Sequence, residues 1–271
     1  MGLLMSVAPY ALGAATPSGT ILPAQDLPWR HDTAGHPEQT ARLWGDRGSG
    51  AAGVLVKVPG GWRSGARAYT SVQHVVLISG RWAHAIGGHG AAGNEVLLPG
   101  SYWLEPAGEV HEDRCEQGSE CIVLVYAPDR VAAIAPVPGG QPAANTRQVG
   151  VPVVLPASEL KWVSQSPDVP LRLAALWGRR DEGHFGELVR MPSGFDSGRH
   201  AHTGNYYGVL VSGTWVHVEE NGAGADQELG PGSYVMQPGR GMHTDRCKQG
   251  TDCILFIYQD EKGDVIWPEN R

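Results

Sequence analysis

The sequence repeats itself over most of its length, and this repeat constrains the fold more than any other feature. LWGDR at 43–47 recurs as LWGRR at 176–180, and PGSYWLEP at 99–106 recurs as PGSYVMQP at 231–238. The offset is 133 residues for the first pair and 132 for the second, so one residue has been lost between them. Units of well over a hundred residues are too long for the short repeats of a solenoid. The chain is therefore predicted to contain one domain twice.

Composition favours β structure in both copies. The chain of 271 residues contains 38 Gly and 20 Pro, which separate short runs rich in Val, Leu, Trp and Tyr. A linker, IAPVPGGQPAANTRQVG, is rich in Pro, Gly, Ala and Asn, as exposed connectors are. We predict an all-β protein with an N-terminal tail or signal remnant (1–20), a first domain (21–133), this linker (134–150) and a second domain (151–271).

The second copy contains two histidines one residue apart, in RHAHTGNYYGVLVSGTW at 199–215. On a strand, residues i and i+2 point to the same face, so His200 and His202 can converge on one point. Such an arrangement suits a metal ion. A solvated strand end is the alternative, because a histidine pair alone is weak evidence for a site.

The surrounding residues form a longer pattern. Residues 194–213 read G-x5-H-x-H-x3-Y-x6-G, and residues 232–243 read G-x5-P-x4-H. This resembles the two-part motif of the cupin superfamily, in which a glutamate stands in place of Tyr206, a glycine in place of Arg240 and an asparagine in place of Cys247. The resemblance extends over both copies, as in a bicupin. It implies an all-β fold of two tandem jelly-roll (cupin) β-barrels from an internal duplication.

The resemblance also implies a metal centre in the second barrel. Cupins usually hold one divalent metal through two histidines and a glutamate of the first motif and a histidine of the second. Carried over to this chain, the ligands are His200, His202 and His243, without the glutamate. Three neutral imidazoles leave coordination positions open for water, substrate or dioxygen. Fe(II) is the favoured metal, and Zn, Mn, Ni or Cu are alternatives.

The first copy lacks most of these ligands. Arg67 and Tyr69 stand in place of the two histidines of the first motif, and Gln73 stands in place of the tyrosine. Only His111, from the second motif, is retained. One histidine beside an arginine binds a transition metal poorly. The first barrel is therefore predicted to be degenerate and free of metal.

Three further residues of the second copy are candidates for catalysis. Tyr206 has inward strand parity and could be a distant ligand, a hydrogen-bond donor to substrate or a packing residue. His217 could transfer protons, although the first copy has the same G-x-W-x-H pattern, which favours a structural role. Arg240 could orient an anionic or enolic substrate. Asp245 also has a counterpart in the first copy and is predicted to be structural.

The four cysteines form two similar pairs: Cys115 with Cys121 and Cys247 with Cys253, each separated by five residues with a central glycine. A hairpin would bring the two sulfurs of each pair together. Disulfides within each copy are predicted, with free thiols as the alternative. Together with an apolar N-terminus that resembles the later part of a secretory signal, they favour an exported protein over a cytoplasmic one.

Charge narrows the range of partners. The net charge of −7 argues against binding to nucleic acid or to an anionic membrane surface, and no apolar run reaches the roughly 18–20 residues of a membrane helix. We expect a small-molecule substrate. Because the duplication already supplies a contact between barrels, we expect a monomer, with a homo-oligomer as the alternative.

Two functional hypotheses follow from these observations. The first is a metal-dependent enzyme acting on a small organic substrate, of the three-histidine Fe(II) dioxygenase type, since three-histidine cupins include dioxygenases. The second is a non-catalytic, metal-containing bicupin that binds or senses a ligand. An open coordination position beside polar groups favours the enzyme, and a closed four-coordinate centre favours the binding module.

Overall fold

The computed structural model describes residues 19–32, 35–46, 49–87, 95–129, 134–136 and 151–268. Most of the predicted tail (1–20) and of the predicted linker (134–150) lies outside these residues. Within them the chain forms nineteen strands and two short 3-10 turns, Ala24–Asp26 and Ala157–Glu159. The prediction of an all-β protein is confirmed. Among the described residues, no helix has the length and hydropathy that a membrane crossing requires.

The first half of the chain forms two antiparallel sheets. The strands of the first half, with the first strand of the second, are β2 (Gln39–Asp46), β3 (Ser49–Val58), β4 (Arg67–Tyr69), β5 (Gln73–Ser79), β6 (Trp82–Ile86), β7 (Tyr102–Glu105), β8 (His111–Cys115), β9 (Cys121–Ala127), β10 (Ile134–Pro136) and β11 (Val153–Leu155). A six-stranded sheet has the order β11-β7-β5-β9-β3-β2, and a four-stranded sheet has the order β10-β4-β8-β6.

The second half repeats this arrangement. Its strands, with β1 from the start of the chain, are β1 (Thr20–Leu22), β12 (Val163–Ser166), β13 (Val169–Arg179), β14 (Gly183–Met191), β15 (Tyr206–Ser212), β16 (Trp215–Glu219), β17 (Tyr234–Gln237), β18 (His243–Cys247) and β19 (Cys253–Gln259). A seven-stranded sheet has the order β1-β17-β15-β19-β14-β13-β12, and β16 pairs with β18 in a separate ribbon.

The two halves exchange their first strands. Strand β1 pairs with β17 of the second half, where Ile21 faces Val235. Strand β11, at the equivalent place in the repeat, pairs with β7 of the first half, where Val154 faces Trp103. Each exchanged strand covers an edge that would otherwise leave main-chain groups unpaired. Each half therefore contributes one edge strand to a sheet of the other half, and these strand pairings join the two halves.

Aromatic side chains fill the space between the halves. The Trp44 ring of the first half lies 5.0 Å from the Tyr207 ring and 6.0 Å from the Tyr258 ring of the second. Reciprocally, the Trp177 ring lies 5.3 Å from the Tyr126 ring of the first half. These residues belong to one core cluster or pack against it, and the cluster contains strands from both halves. Burial of this apolar surface stabilises the pairing of the halves.

Each half also contains the predicted disulfide. Cys115 is bonded to Cys121, and Cys247 is bonded to Cys253. Each bond closes the short connection between two strands that lie in different sheets, β8 to β9 in the first half and β18 to β19 in the second, so the predicted hairpin is wrong. The prediction of disulfides within each copy is confirmed.

Candidate metal centre

The three predicted ligands lie side by side at the inner wall of the second half. His200 and His243 face each other in an antiparallel bridge, in which each main-chain N–H donates to the carbonyl of the other residue, at 2.9 and 2.8 Å. His202 follows on the same extended segment, which Ala201 joins to Ile266 by another bridge. One nitrogen from each ring lies within 4.8 Å of the other two. The convergence of His200 and His202, which strand parity predicts, is thus present in the fold.

The protein holds all three rings in one tautomeric arrangement. Each Nδ1–H donates to a main-chain carbonyl oxygen: His200 to Gly198 at 3.0 Å, His202 to Asp264 at 2.6 Å and His243 to Gly241 at 3.1 Å. This leaves the lone pair of each Nε2 free to bind a cation, as in metal sites whose histidines are oriented by carbonyl groups. The Nε2 of His243 is buried and has no hydrogen-bond partner in the described structure. The donor set therefore fits a divalent metal.

Burial and neighbouring charge act differently on the three rings. Burial lowers the pKa of His202 to about 4 and also lowers the pKa of His200. Burial likewise disfavours the charged form of His243, but the Asp245 carboxylate raises its pKa by more than burial lowers it. Two of the three rings are therefore held in the neutral form that metal binding requires.

Asp245 connects this centre to the rest of the half. Its Oδ1 accepts hydrogen bonds from Trp215 Nε1 and His217 Nδ1, both at 2.8 Å. Its Oδ2 lies 3.4 Å from His243 Nε2 and 4.0 Å from His200 Nε2. Although burial raises the pKa of this carboxyl, His217 and His243 hold it well below its usual range. Asp245 has structural contacts, to Trp215 and His217, and it also presents a negative charge to the histidine cluster.

Tyr206 is the only one of the three predicted catalytic residues that reaches the cavity beside the cluster. Its buried ring packs against His202 and His243, with centroids 5.7 and 5.9 Å apart. Burial raises the pKa of its hydroxyl well above the usual value, so it stays protonated. This position fits the packing role and leaves its hydroxyl available as a donor.

The other two predicted catalytic residues lie elsewhere. His217 is buried, and its ring centroid lies 5.1 Å from that of His243. Both of its ring nitrogens have partners, Asp245 at 2.8 Å and Gln237 at 3.1 Å. Arg240 is exposed in a turn with φ 64°, and its main-chain N–H donates to the His202 carbonyl. Neither residue is among those that line the cavity. The exposed Arg240 side chain is therefore not part of the cavity wall, and its role in orienting a substrate stays a prediction.

A cavity of about 240 Å³ opens beside the cluster. His200, His202, Tyr206 and Asp245 form one part of its wall, and strands β13, β14 and β19 form most of the rest. The C-terminal segment contributes Trp267, whose ring centroid lies 6.0 Å from that of His200. The first half has an equivalent segment, in which Ala135 pairs with Ala68 as Ile266 pairs with Ala201, and the signal in the sequence is the recurrence of IAP at 134–136 as IWP at 266–268.

The equivalent place in the first half contains an arginine. Arg67 Nη2 donates to Asp113 Oδ2 at 2.6 Å, while Trp82 and His84 donate to Asp113 Oδ1, each at 2.9 Å. His84, Glu105 and Asp113 do bring ligand atoms within 4.8 Å of one another. The buried guanidinium already neutralises that carboxylate, however, and would repel a second cation. These contacts support the prediction that the first half is free of metal, which stays a prediction.

Comparison with known proteins identifies the family and the fold. The sequence matches the model of a family described as a domain of unknown function, DUF4437, over residues 25–265. No curated protein matches the sequence. A protein from Nostoc punctiforme, provisionally assigned as a dioxygenase, superposes with a TM-score of 0.68 at 14% identity. The alignment covers 93% of this chain and 87% of that one.

Two further solved structures show the same architecture. Oxalate decarboxylase from Lactobacillus farciminis, in complex with formate, has a TM-score of 0.60 at 13% identity, with 93% of this chain and 89% of that chain covered. YlbA from E. coli has a TM-score of 0.59 at 14% identity, with coverage of 89% and 90%. Identities this low show a shared fold alone. The predicted all-β fold of the cupin jelly-roll type is confirmed.

Proposed function

The chain belongs to the DUF4437 family, and from this premise we propose that it is a metal-dependent enzyme that acts on a small organic substrate. A divalent ion would be held by His200, His202 and His243. Fe(II) is the metal we favour and a dioxygenase-type oxidation the reaction we favour, with Zn, Mn, Ni or Cu as alternative metals. The observation that carries the proposal is the convergence of three ring nitrogens, one from each histidine, at the wall of a cavity.

The residues around the cluster have separate tasks in this proposal. A metal bound there would serve as a Lewis acid or redox centre for the substrate. Main-chain carbonyls keep the three rings oriented, and the buried Asp245 carboxylate balances the charge of a cation. His217 is a positioning residue, because it acts through Asp245. Tyr206 covers the cluster and can donate its hydroxyl proton in a hydrogen bond to a bound molecule.

The structural neighbours are consistent with this chemistry. The Nostoc punctiforme protein is provisionally assigned as a dioxygenase, and the Lactobacillus farciminis protein is an oxalate decarboxylase. Both names describe reactions of small organic molecules. They support an enzyme in general more strongly than they support oxygen as its co-substrate.

Oxygen uptake tests the proposal. The protein is loaded anaerobically with Fe(II), and oxygen consumption is recorded with a panel of small organic compounds for the wild type, His243→Ala and His111→Ala. His111 is the counterpart of His243 in the first half and serves as a matched control. We expect substrate-dependent uptake in the wild type and in His111→Ala, and its loss in His243→Ala. Uptake that survives in His243→Ala would refute a role for this cluster.

One observation favours the second candidate, a non-catalytic binding module. Asp245 Oδ2 lies within 4.0 Å of the Nε2 atoms of both His200 and His243. If this carboxylate joined the three histidines, the metal would have four protein ligands and the closed shell of a structural site. Adding azide to the Co(II)-loaded protein distinguishes the two candidates. A changed absorption spectrum indicates an open position and favours the enzyme, whereas an unchanged spectrum favours the binding module.

A further inference from the structure

The cavity beside the histidine cluster has walls that suit an apolar molecule. Strands β13, β14 and β19 each contribute inward-facing side chains to it, and most of these are aliphatic: Leu171, Leu173, Val189, Met191, Leu255 and Ile257. Its volume of about 240 Å³ exceeds the roughly 150 Å³ of an engineered apolar cavity that binds benzene. The cavity can therefore hold a substituted benzene ring.

Two polar side chains interrupt these apolar walls. Glu187 on β14 and Gln259 on β19 both line the cavity and are both only 2% exposed. The Nε2 of Gln259 is buried without a hydrogen-bond partner in the described structure. Gln259 also lies directly across the strand pair from Tyr206, which packs on the histidines. A buried amide donor without an acceptor is costly, by about 1–3 kcal/mol, unless a bound molecule supplies the acceptor.

The first half shows that the barrel does not need these polar groups. In the repeat, Val54 stands in place of Glu187, and Ala127 stands in place of Gln259. The local pairing is the same in both halves, since Ala127 faces Ala52 as Gln259 faces Phe185. The polar pair is thus present only in the half that has the histidine cluster. This association points to a role in binding a molecule there.

Charge indicates which kind of molecule fits. Arg180 is the single cationic Lys or Arg side chain among the residues that line the cavity, and it donates to Glu187. Of the other carboxylates in the lining, Asp196 pairs with Arg246, and Asp245 would balance the charge of a bound metal. Apart from that metal, the lining offers an anionic substrate no free arginine or lysine. An uncharged acceptor next to Gln259 needs no such cation.

We propose that the substrate of this site is an uncharged, largely apolar molecule, about as large as a substituted benzene ring, with a carbonyl-type oxygen that accepts a hydrogen bond from Gln259 Nε2. The proposal rests on the function proposed above and adds the class of substrate to it. It separates this protein from enzymes whose substrates are small carboxylate anions.

Three compounds of similar shape test this proposal. Acetophenone is neutral and has a carbonyl oxygen, benzoate is anionic, and isopropylbenzene has no acceptor. Dissociation constants are measured by ligand-observed NMR for the wild type, Gln259→Leu and the exposed control Gln249→Leu. We expect acetophenone to bind more tightly than benzoate. Loss of one hydrogen bond should weaken acetophenone about fivefold in Gln259→Leu, with isopropylbenzene unchanged.

Several results would overturn the proposal. They are tighter binding of benzoate than of acetophenone, equal effects of Gln259→Leu on acetophenone and isopropylbenzene, and failure of all three compounds to bind. If Gln259→Leu does not fold, Gln259→Ala replaces it, because alanine is the residue of the first half at this place. Metal content is measured in the same preparations. Acetophenone binding that depends on Gln259 in a chain without metal affinity would refute the metal-dependent function alone.

Discussion

Arg67 is predicted to be the internal cation of the first half, in the place where the second half has His200. Its side chain is only 12% exposed, and its guanidinium donates to Asp113 at 2.6 Å and lies 5.3 Å from the ring centroids of Trp62 and Tyr69. Replacing it in Arg67→Met keeps much of the side-chain volume but leaves the Asp113 carboxylate buried without its cation. Breaking a buried ion pair in this way costs about 3–5 kcal/mol.

The cost should depend on pH in a defined direction. Burial raises the pKa of Asp113, but Arg67 and His84 lower it far more, so the net shift is downward. A carboxyl whose pKa is lowered by folding stabilises the native state above its unfolded pKa of about 4, and this contribution is lost as the pH falls. In Arg67→Met the carboxyl can be protonated at acidic pH. The destabilisation should therefore shrink between pH 7 and pH 3.

Urea unfolding with linear extrapolation measures both effects. Arg246→Met is the matched control, because Arg246 forms an exposed ion pair with Asp196 at 2.8 Å and should contribute less than about 1 kcal/mol. A loss below about 1 kcal/mol in Arg67→Met at pH 7 would refute the assignment of Arg67 as a required cation. A loss that is the same at both pH values would refute the electrostatic explanation.

Three more predictions concern the second half. Replacing Cys247 and Cys253 by serine opens a bond with a sequence separation of 6, and urea unfolding should show a loss of about 2 kcal/mol. Burial raises the pKa of Glu187 to about 7 even though a neighbouring arginine lowers it. The Glu187 carboxyl therefore ionises at a lower pH in the unfolded chain than in the folded protein. The free energy of unfolding falls as the pH rises from about 4.5 to about 7. Glu187→Gln should remove most of this decline, about 3 kcal/mol. A Cβ at Gly186 would clash with the indole ring of Trp177, so Gly186→Ala should lower the melting temperature, whereas Gly230→Ala, which meets nothing within 4 Å, should not.

Sequence reasoning predicted the parts of the site that depend on local geometry. The i, i+2 spacing of His200 and His202 was enough to predict that their side chains share a face, and the motif located His243 as the third member. The five-residue turns between cysteines predicted both disulfides. The shared face depends on strand parity, which a short stretch of sequence determines. The disulfides form although the strands they join lie in different sheets, because a sequence separation of 6 keeps the two cysteines close.

Other parts of the site depend on tertiary placement. The strand parity of Asp245 was visible, but only the fold shows that one of its oxygens is taken by Trp215 and His217 while the other faces the histidines. Arg240 was expected at the substrate because it lies within the motif, yet its left-handed backbone conformation in a turn leaves it exposed. The signal for Gln259 was its polarity at a position where the first copy has alanine.

The exchange of first strands was also beyond sequence reasoning. The repeat shows that β1 and β11 are equivalent, but it cannot show which half each one joins, because both halves offer the same kind of edge. The two halves pack through a shared core cluster. Only the three-dimensional arrangement contains that information.

The most direct test of the account is the metal content of the purified protein, measured by elemental analysis with no metal added. The wild type is compared with His200→Ala and His243→Ala, and with His111→Ala as the control from the first half. The account predicts about one equivalent of a transition metal in the wild type and in His111→Ala, and its loss in the other two variants. A wild type without metal, or metal undiminished in His200→Ala and His243→Ala, would contradict it.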